Sequence, residues 1–402
     1  MTRTLRALPL ALATILALTP AAAQRAAAPA APAGWSAFTR MFDSAVTHDS
    51  IVGSAIVFVK NGAIIAHHEH GWADRANKRP VTERTLFHYG SITKTLTAIS
   101  IMQLRDRGKL SLDDRVTSYI PELRLVHDAY GSMDSVTIRM LLSHSAGFQN
   151  PTWPYGTGEP WEPFEPTTWN QLVAMMPYQQ LLFKPGSQFS YSNPGFIYLA
   201  RIIEQLSGDP WETYVQKNIL SPLALTRSSF GATPYYLAAD RSHNYSVIRD
   251  SAGHTEVRDN GADFDPGITI PNGGWNAPLT DLAAYLGYLT NAARGDSATR
   301  RLYDVVLPRA SLEEMWKPRY PTSADSTEQR EWMGMSFFVL HRGGRTIIGH
   351  TGSQAGFLAF IYFDPATGTG VVAAFNTASE AEGGPKPLAF REIREAALAL
   401  LK

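Results

Sequence analysis

The chain has 402 residues, with 36 Lys and Arg balancing 36 Asp and Glu and no basic run or stripe. That balance excludes nucleic acid as a partner and electrostatic docking on a membrane surface. Cysteine is absent, so disulfides and lipid attachment through a cysteine are excluded as well, and the length suits one large domain or two modest ones with a substantial core.

The N-terminus has the form of a secretory signal. Arg3 and Arg6 make a short basic region, Ala7 to Leu18 an apolar one, and Ala21 to Ala23 a small-residue cleavage site. The apolar run is too short to span a bilayer comfortably. The expectation is a signal peptide over 1–23, an Ala/Pro tether over 24–34 and a folded unit over 35–402. It would be secreted or periplasmic, with no integral membrane span once the signal is removed.

Trp35 to Val46 has the spacing of an amphipathic helix. Ser54 to Val59 and Ala63 to Glu69 read as strands joined at Lys60-Asn61-Gly62, a strong hairpin turn. Ile92 to Arg107 is helical and stops at Gly108. Val136 to Ser143 resembles a helix start, followed by a loop from His144 to Gly147. Residues 150–166 are dense in Pro, Gly, Trp and Tyr, the chemistry of an ordered loop, and a short helix from Asn170 to Met176 is broken at Pro177. Phe196 to Leu206 is a strong helix ending at Gly208, and Asp281 to Leu289 another, with Thr280 as its expected N-cap.

Four strands follow: Ser336 to Leu340, Arg345 to Ile348, Phe357 to Phe363 and Val371 to Phe375. A C-terminal amphipathic helix runs from Leu388 to Leu401. This order predicts an α+β fold. Early and late strands join in one antiparallel sheet, the two terminal helices cover one of its faces, and a mostly helical region is inserted. The α/β part takes in about 35–90 and 270–402, the insertion about 91–269.

Ser91 and Lys94 stand three residues apart where a helical pattern begins. This puts a nucleophile at a helix N-terminus and an amine one turn on, on the same face. A serine hydroxyl needs a neighbouring base, and a desolvated lysine can serve as one. Ser-x-x-Lys alone occurs by chance about once in a chain of this size. A Gly-x-Ser-x-Gly nucleophile elbow is missing, which argues against an α/β-hydrolase.

Five segments together resemble the class C β-lactamases and penicillin-binding proteins. They are Phe87 to Thr97 around Ser91, Asp106 to Asp114, Thr137 to Gly147, Lys184 to Asn193 with Tyr191-Ser192-Asn193, and His350-Thr351-Gly352. The resemblance implies a β-lactamase/transpeptidase-like fold. It implies Ser91 as acylated nucleophile, with Lys94 hydrogen-bonded to it and Tyr191 as a base whose pKa an adjacent ammonium lowers. Asn193 would hold the substrate or Lys94, and the N–H groups of Ser91 and Ser353 would form the oxyanion hole. His350, Thr351 and Gly352 would line the pocket, with His350 where β-lactamases usually carry lysine. A cation is thereby weakened, which favours ester, amide or D-amino-acid peptide substrates over those with an obligatory carboxylate.

The reading is thus a serine hydrolase working through an acyl-enzyme on a small-molecule or peptidoglycan-derived substrate, with no cofactor, no metal and the oligomeric state open. Its rival is a non-catalytic or slowly deacylating peptidoglycan- or penicillin-binding protein of the same fold. A third, a metal hydrolase built on His67, His68, Glu69 and His70, is weak, since strand alternation puts only His68 and His70 on one face. His144 reads as structural, its imidazole bonding backbone carbonyls. Asn193, just before Pro194 and a helix, is equally a cap. Trp153, Tyr155, Trp161 and Phe164 either line a pocket or pin a long loop.

Overall fold

A computed structural model describes residues 30–148, 166–249, 255–292, 296–323, 331–379 and 387–402. The signal and most of the linker expected at the N-terminus, and the aromatic segment with Trp153, Tyr155, Trp161 and Phe164, lie outside them.

Alternating apolar strands assemble into a nine-stranded sheet whose pairings are all antiparallel. Its centre joins the two ends of the chain: Gly53–Lys60 pairs with Thr369–Phe375, in the register Ile56 opposite Ala373. Phe357–Asp364, Arg345–Gln354 and Phe338–Arg342 continue to one side, and Ala63–Asp74 lies on the other. The fold is α+β.

One face of the sheet is covered by the helices Trp35–His48 and Leu388–Leu400. Phe42 stacks on Phe375 with centroids 6.1 Å apart, and Phe375 and Phe360 both meet Phe390 edge-on. Rings of this size dominate core energetics, and truncating one to alanine typically removes about 3–5 kcal/mol. The opposite face carries Val57, Val59, Ala359, Ile361 and Val372 into a larger core with Ile99, Leu282 and Leu286. Between the layers Asn376 is fully buried. Its Oδ1 accepts from Gly53 N–H at 2.7 Å, and its Nδ2 donates to Trp72 O and Ser242 Oγ.

Several local expectations shift. The helix expected from Val136 is the short Ile138–Leu142, with Thr137 accepting from Met140 N–H. The helix expected from Asp281 runs Leu279–Leu289 behind Pro278, so Thr280 lies inside it and is not its cap. Two small three-stranded sheets complete the fold. In one, Leu86–His88 pairs with Trp275–Pro278, which also pairs with Ser229–Phe230. In the other, Thr377–Ser379 pairs in parallel with Tyr245–Arg249. Both bring distant segments together without a turn signal between them. The first positions the site, because Tyr89 N–H continues the pairing by bonding Trp275 O at 2.8 Å.

Candidate active site

Gly90–Thr93 forms a 3-10 turn that runs straight into the helix Lys94–Asp106. Ser91 therefore sits in the first turn, and Lys94 follows on the same side. Lys94 is completely buried. Its Nζ lies 2.9 Å from Ser91 Oγ and donates to the carbonyl of Asn272 at 2.8 Å. Burial pushes Lys94 well below the usual lysine range. Desolvation is the cause of that shift, and it favours the uncharged amine.

Tyr191 lies on the other side of Lys94, whose Nζ is 5.0 Å from the centre of its ring and 5.7 Å from that of Phe196. The phenol faces Ser91, whose hydroxyl favours ionisation slightly, but burial dominates and raises Tyr191 well above its ordinary value. In this conformation the hydroxyl makes no hydrogen bond of ordinary length and angle among the described residues. The expected lowering by an ammonium is therefore corrected. Burial outweighs what the neighbouring groups offer, and it holds the phenol toward its protonated form.

The strand Arg345–Gln354 pairs with Phe338–Arg342 only up to Gly349, so 350–354 presents an open edge to the turn that carries Ser91. Two glycines permit the approach. Gly90 has φ +48°, and a Cβ on it would lie 2.7 Å from Ser353 N. A Cβ on Gly352 would lie 1.9 Å from Tyr89 O. Ser91 N is 3.4 Å from that same Gly352 Cβ position, so the N–H groups of Ser91 and Ser353 border one small space.

Along this edge Thr351 is half-buried and Ser353 exposed, while His350 and Gly352 point inward. His350 packs 5.0 Å from Phe338 and 6.3 Å from Tyr191, with Nδ1 at 2.5 Å from Thr351 O. It forms a wall behind the phenol. The cap of the helix Asn193–Ser207 is Ser192, whose side chain accepts from Gly195 N–H at 3.3 Å. Asn193 is released from capping, and its Oδ1 is buried without a partner among the described residues.

Two site residues escaped the sequence reading. Asn272 supplies the carbonyl that holds Lys94, and its own Oδ1 is buried without a partner among the described residues. No motif marks it, because any residue can offer a backbone carbonyl. His144 stacks on Tyr191 with centroids 4.2 Å apart and planes at 24°. Its Nδ1 accepts from Ser192 N–H at 3.0 Å, so the ring receives a backbone hydrogen bond where donation to a carbonyl was expected.

The histidines near His68 lie elsewhere. His68 and His70 both reach Asp43 Oδ1, at 2.8 and 2.9 Å, and His67 reaches Glu69. No group of three or more His, Cys, Asp or Glu is arranged to hold a metal ion among the described residues.

A Ser-x-x-Lys pair with a buried lysine at the edge of an antiparallel sheet, faced by a tyrosine from the helical side, is an arrangement of the β-lactamase/transpeptidase fold. The chain belongs to the beta-lactamase family, whose model matches residues 38–395. Protein flp of Staphylococcus aureus is 28% identical over 200 residues, which cover 49% of this chain and 39% of that protein. The chain thus spans about two-fifths of that relative's length. The octameric penicillin-binding protein homologue from Pyrococcus abyssi superposes with a TM-score of 0.73 at 27% identity, covering 91% of this chain and 77% of that one. The D-amino acid amidase of Ochrobactrum anthropi shares the fold, with a TM-score of 0.72 at 20% identity over 90% of this chain and 98% of the amidase. No described helix is long and apolar enough to cross a membrane.

Proposed function

We propose that the chain is a serine hydrolase acting through an acyl-enzyme on Ser91. The single observation that carries this reading is the buried Lys94 amine at 2.9 Å from Ser91 Oγ. Lys94 takes the serine proton as Oγ attacks the substrate carbonyl. The N–H groups of Ser91 and Ser353 receive the charge that develops on the carbonyl oxygen, an effect that typically contributes several kcal/mol. The Lys94 ammonium formed in that step then lies beside the Tyr191 ring. The phenol passes a proton to the leaving group and is replenished by the ammonium, the two titrating as a pair. In deacylation the same groups activate water in reverse order. Relative to the sequence reading, Lys94 is the resting base and Tyr191 the relay.

The substrate class is read from charge. His350, which stands where β-lactamases usually carry lysine, is buried behind the phenol. The reading therefore favours an ester, an amide or a D-amino-acid peptide over a substrate held by its carboxylate. A β-lactam would acylate without strong anchoring.

Incubation with a fluorophosphonate or penicillin probe, followed by peptide mass mapping, should place the adduct on Ser91. Ser91→Ala should abolish both labelling and turnover of p-nitrophenyl esters and D-alanyl amides. Label at another residue, or an active Ser91→Ala protein, would overturn the assignment. Labelling with no measurable turnover on any of these substrates would instead favour the slowly deacylating binder.

A further inference from the structure

Tyr191 is held from one direction by a single residue. The main chain of His144 accepts from Ser190 N–H at 2.8 Å, and its ring Nδ1 accepts from Ser192 N–H at 3.0 Å. These bonds fall on the residues immediately before and after Tyr191. Between them the imidazole lies flat on the phenol ring, 4.2 Å away. The other side of the imidazole region is closed by Phe196 at 5.0 Å and the edge of Phe189 at 6.1 Å.

The backbone of His144 is itself unusual. Its φ of +52° is in the left-handed region, which a bulky residue adopts only at a cost. Glycine would adopt it freely, yet this position carries a large ring. The flanking loop is bolted to the tyrosine segment: Ser145 O accepts from Gly186 N–H at 2.7 Å, and Gly147 O accepts from Leu182 N–H at 2.8 Å. Ser190 Oγ adds a bond to Phe148 O at 3.2 Å. The strained residue is over-determined by its surroundings, as expected where backbone strain serves a site.

We infer that His144 is the positioning residue of Tyr191, clamping the chain on both sides of the phenol and covering its ring so that the hydroxyl stays at Ser91 and the ring over Lys94. The inference rests on the acyl-enzyme reading above and adds a residue to it. An acceptor Nδ1 requires the neutral tautomer with its proton on Nε2. Burial pushes the ring toward that neutral form. A misplacement of about 1 Å at such a relay lowers turnover by roughly 100-fold.

The test is a double-mutant cycle on the mature chain with a p-nitrophenyl ester, reading kcat and KM separately. His144→Ala should lower kcat by about 10- to 100-fold with KM changed by less than about 3-fold. His144→Asn, whose side-chain oxygen can still take the Ser192 N–H, should recover a substantial part of that loss. In a Tyr191→Phe background, adding His144→Ala should change kcat by less than about 3-fold, because no hydroxyl remains to be placed. Equal losses with and without the Tyr191 hydroxyl would overturn the inference, as would a folded His144→Ala protein with full kcat. Should His144→Ala not fold, the cycle is run with His144→Leu, which fills the space without an acceptor, and the same criterion. An unchanged kcat for Tyr191→Phe alone would instead remove the relay role on which the inference stands.

Discussion

At the scale of single residues the site is organised by desolvation. Lys94, Tyr191 and His144 are each pushed by burial toward their neutral forms. A serine nucleophile benefits, because a neutral amine is a base and an ammonium is not. The protein bears a stability penalty for it. In the unfolded chain Lys94 titrates at its ordinary value near 10.5, and burial on folding moves it well below that. Its folded value lies below its unfolded one, so the unfolded state binds more protons throughout the window between the two. The penalty is absent above the unfolded value, grows as pH falls through that window, and is constant below the folded value. Lys94→Met should therefore raise stability by about 1–2 kcal/mol near neutral pH while abolishing turnover. Urea unfolding at pH 7 and again at pH 10.5 checks the sign, since the gain should shrink at the higher pH. Wild-type turnover should fall on acidification as the amine takes up its proton.

At the scale of elements, the decisive contact is between the nucleophile turn and the open strand edge. Tyr89 is anchored by the short pairing with Trp275–Pro278, and the edge at 350–354 closes on it from the main sheet. Gly352→Ala would insert a methyl 1.9 Å from Tyr89 O. Backbone faces backbone there, so strand and turn must separate. The expected result is a loss of acylation rate of about 100-fold with a stability loss of roughly 1–3 kcal/mol. Stopped-flow labelling by a fluorophosphonate, beside thermal unfolding, separates the two effects. Unchanged labelling would show that the edge does not help to form the oxyanion site.

At the scale of the whole molecule, the sheet draws its central strands from opposite ends of the chain, and Asn376 ties Gly53, Trp72 and Ser242 to that junction. Such closure makes the fold depend on long-range pairing and on helices from both termini packing over one face. The composition of residues 1–23, which lie outside the described residues, motivates our proposal that they are an export signal. Expressed in a bacterium with an export pathway, the protein should be recovered outside the cytoplasm with a mature N-terminus just after Ala23. Retention of Met1 in an active preparation would overturn the proposal.

The α+β class, the sheet of early and late strands and the covering terminal helices were legible in the sequence, because period-2 and period-3.6 patterns are local properties. So was the pairing of Ser91 with Lys94, since a three-residue spacing at a helix start places both on one side. Tyr191, Asn193 and His350 could be singled out through resemblance alone, as no local rule links them to position 91. Three things were decided only by the tertiary structure. Asn272 enters through its carbonyl, which no side-chain pattern reports. His144 turns its ring nitrogen toward an N–H, a matter of which segment folds against it. The protonation states of Lys94 and Tyr191 follow from how much protein surrounds them, and burial is a property of the assembled core that no stretch of sequence carries by itself.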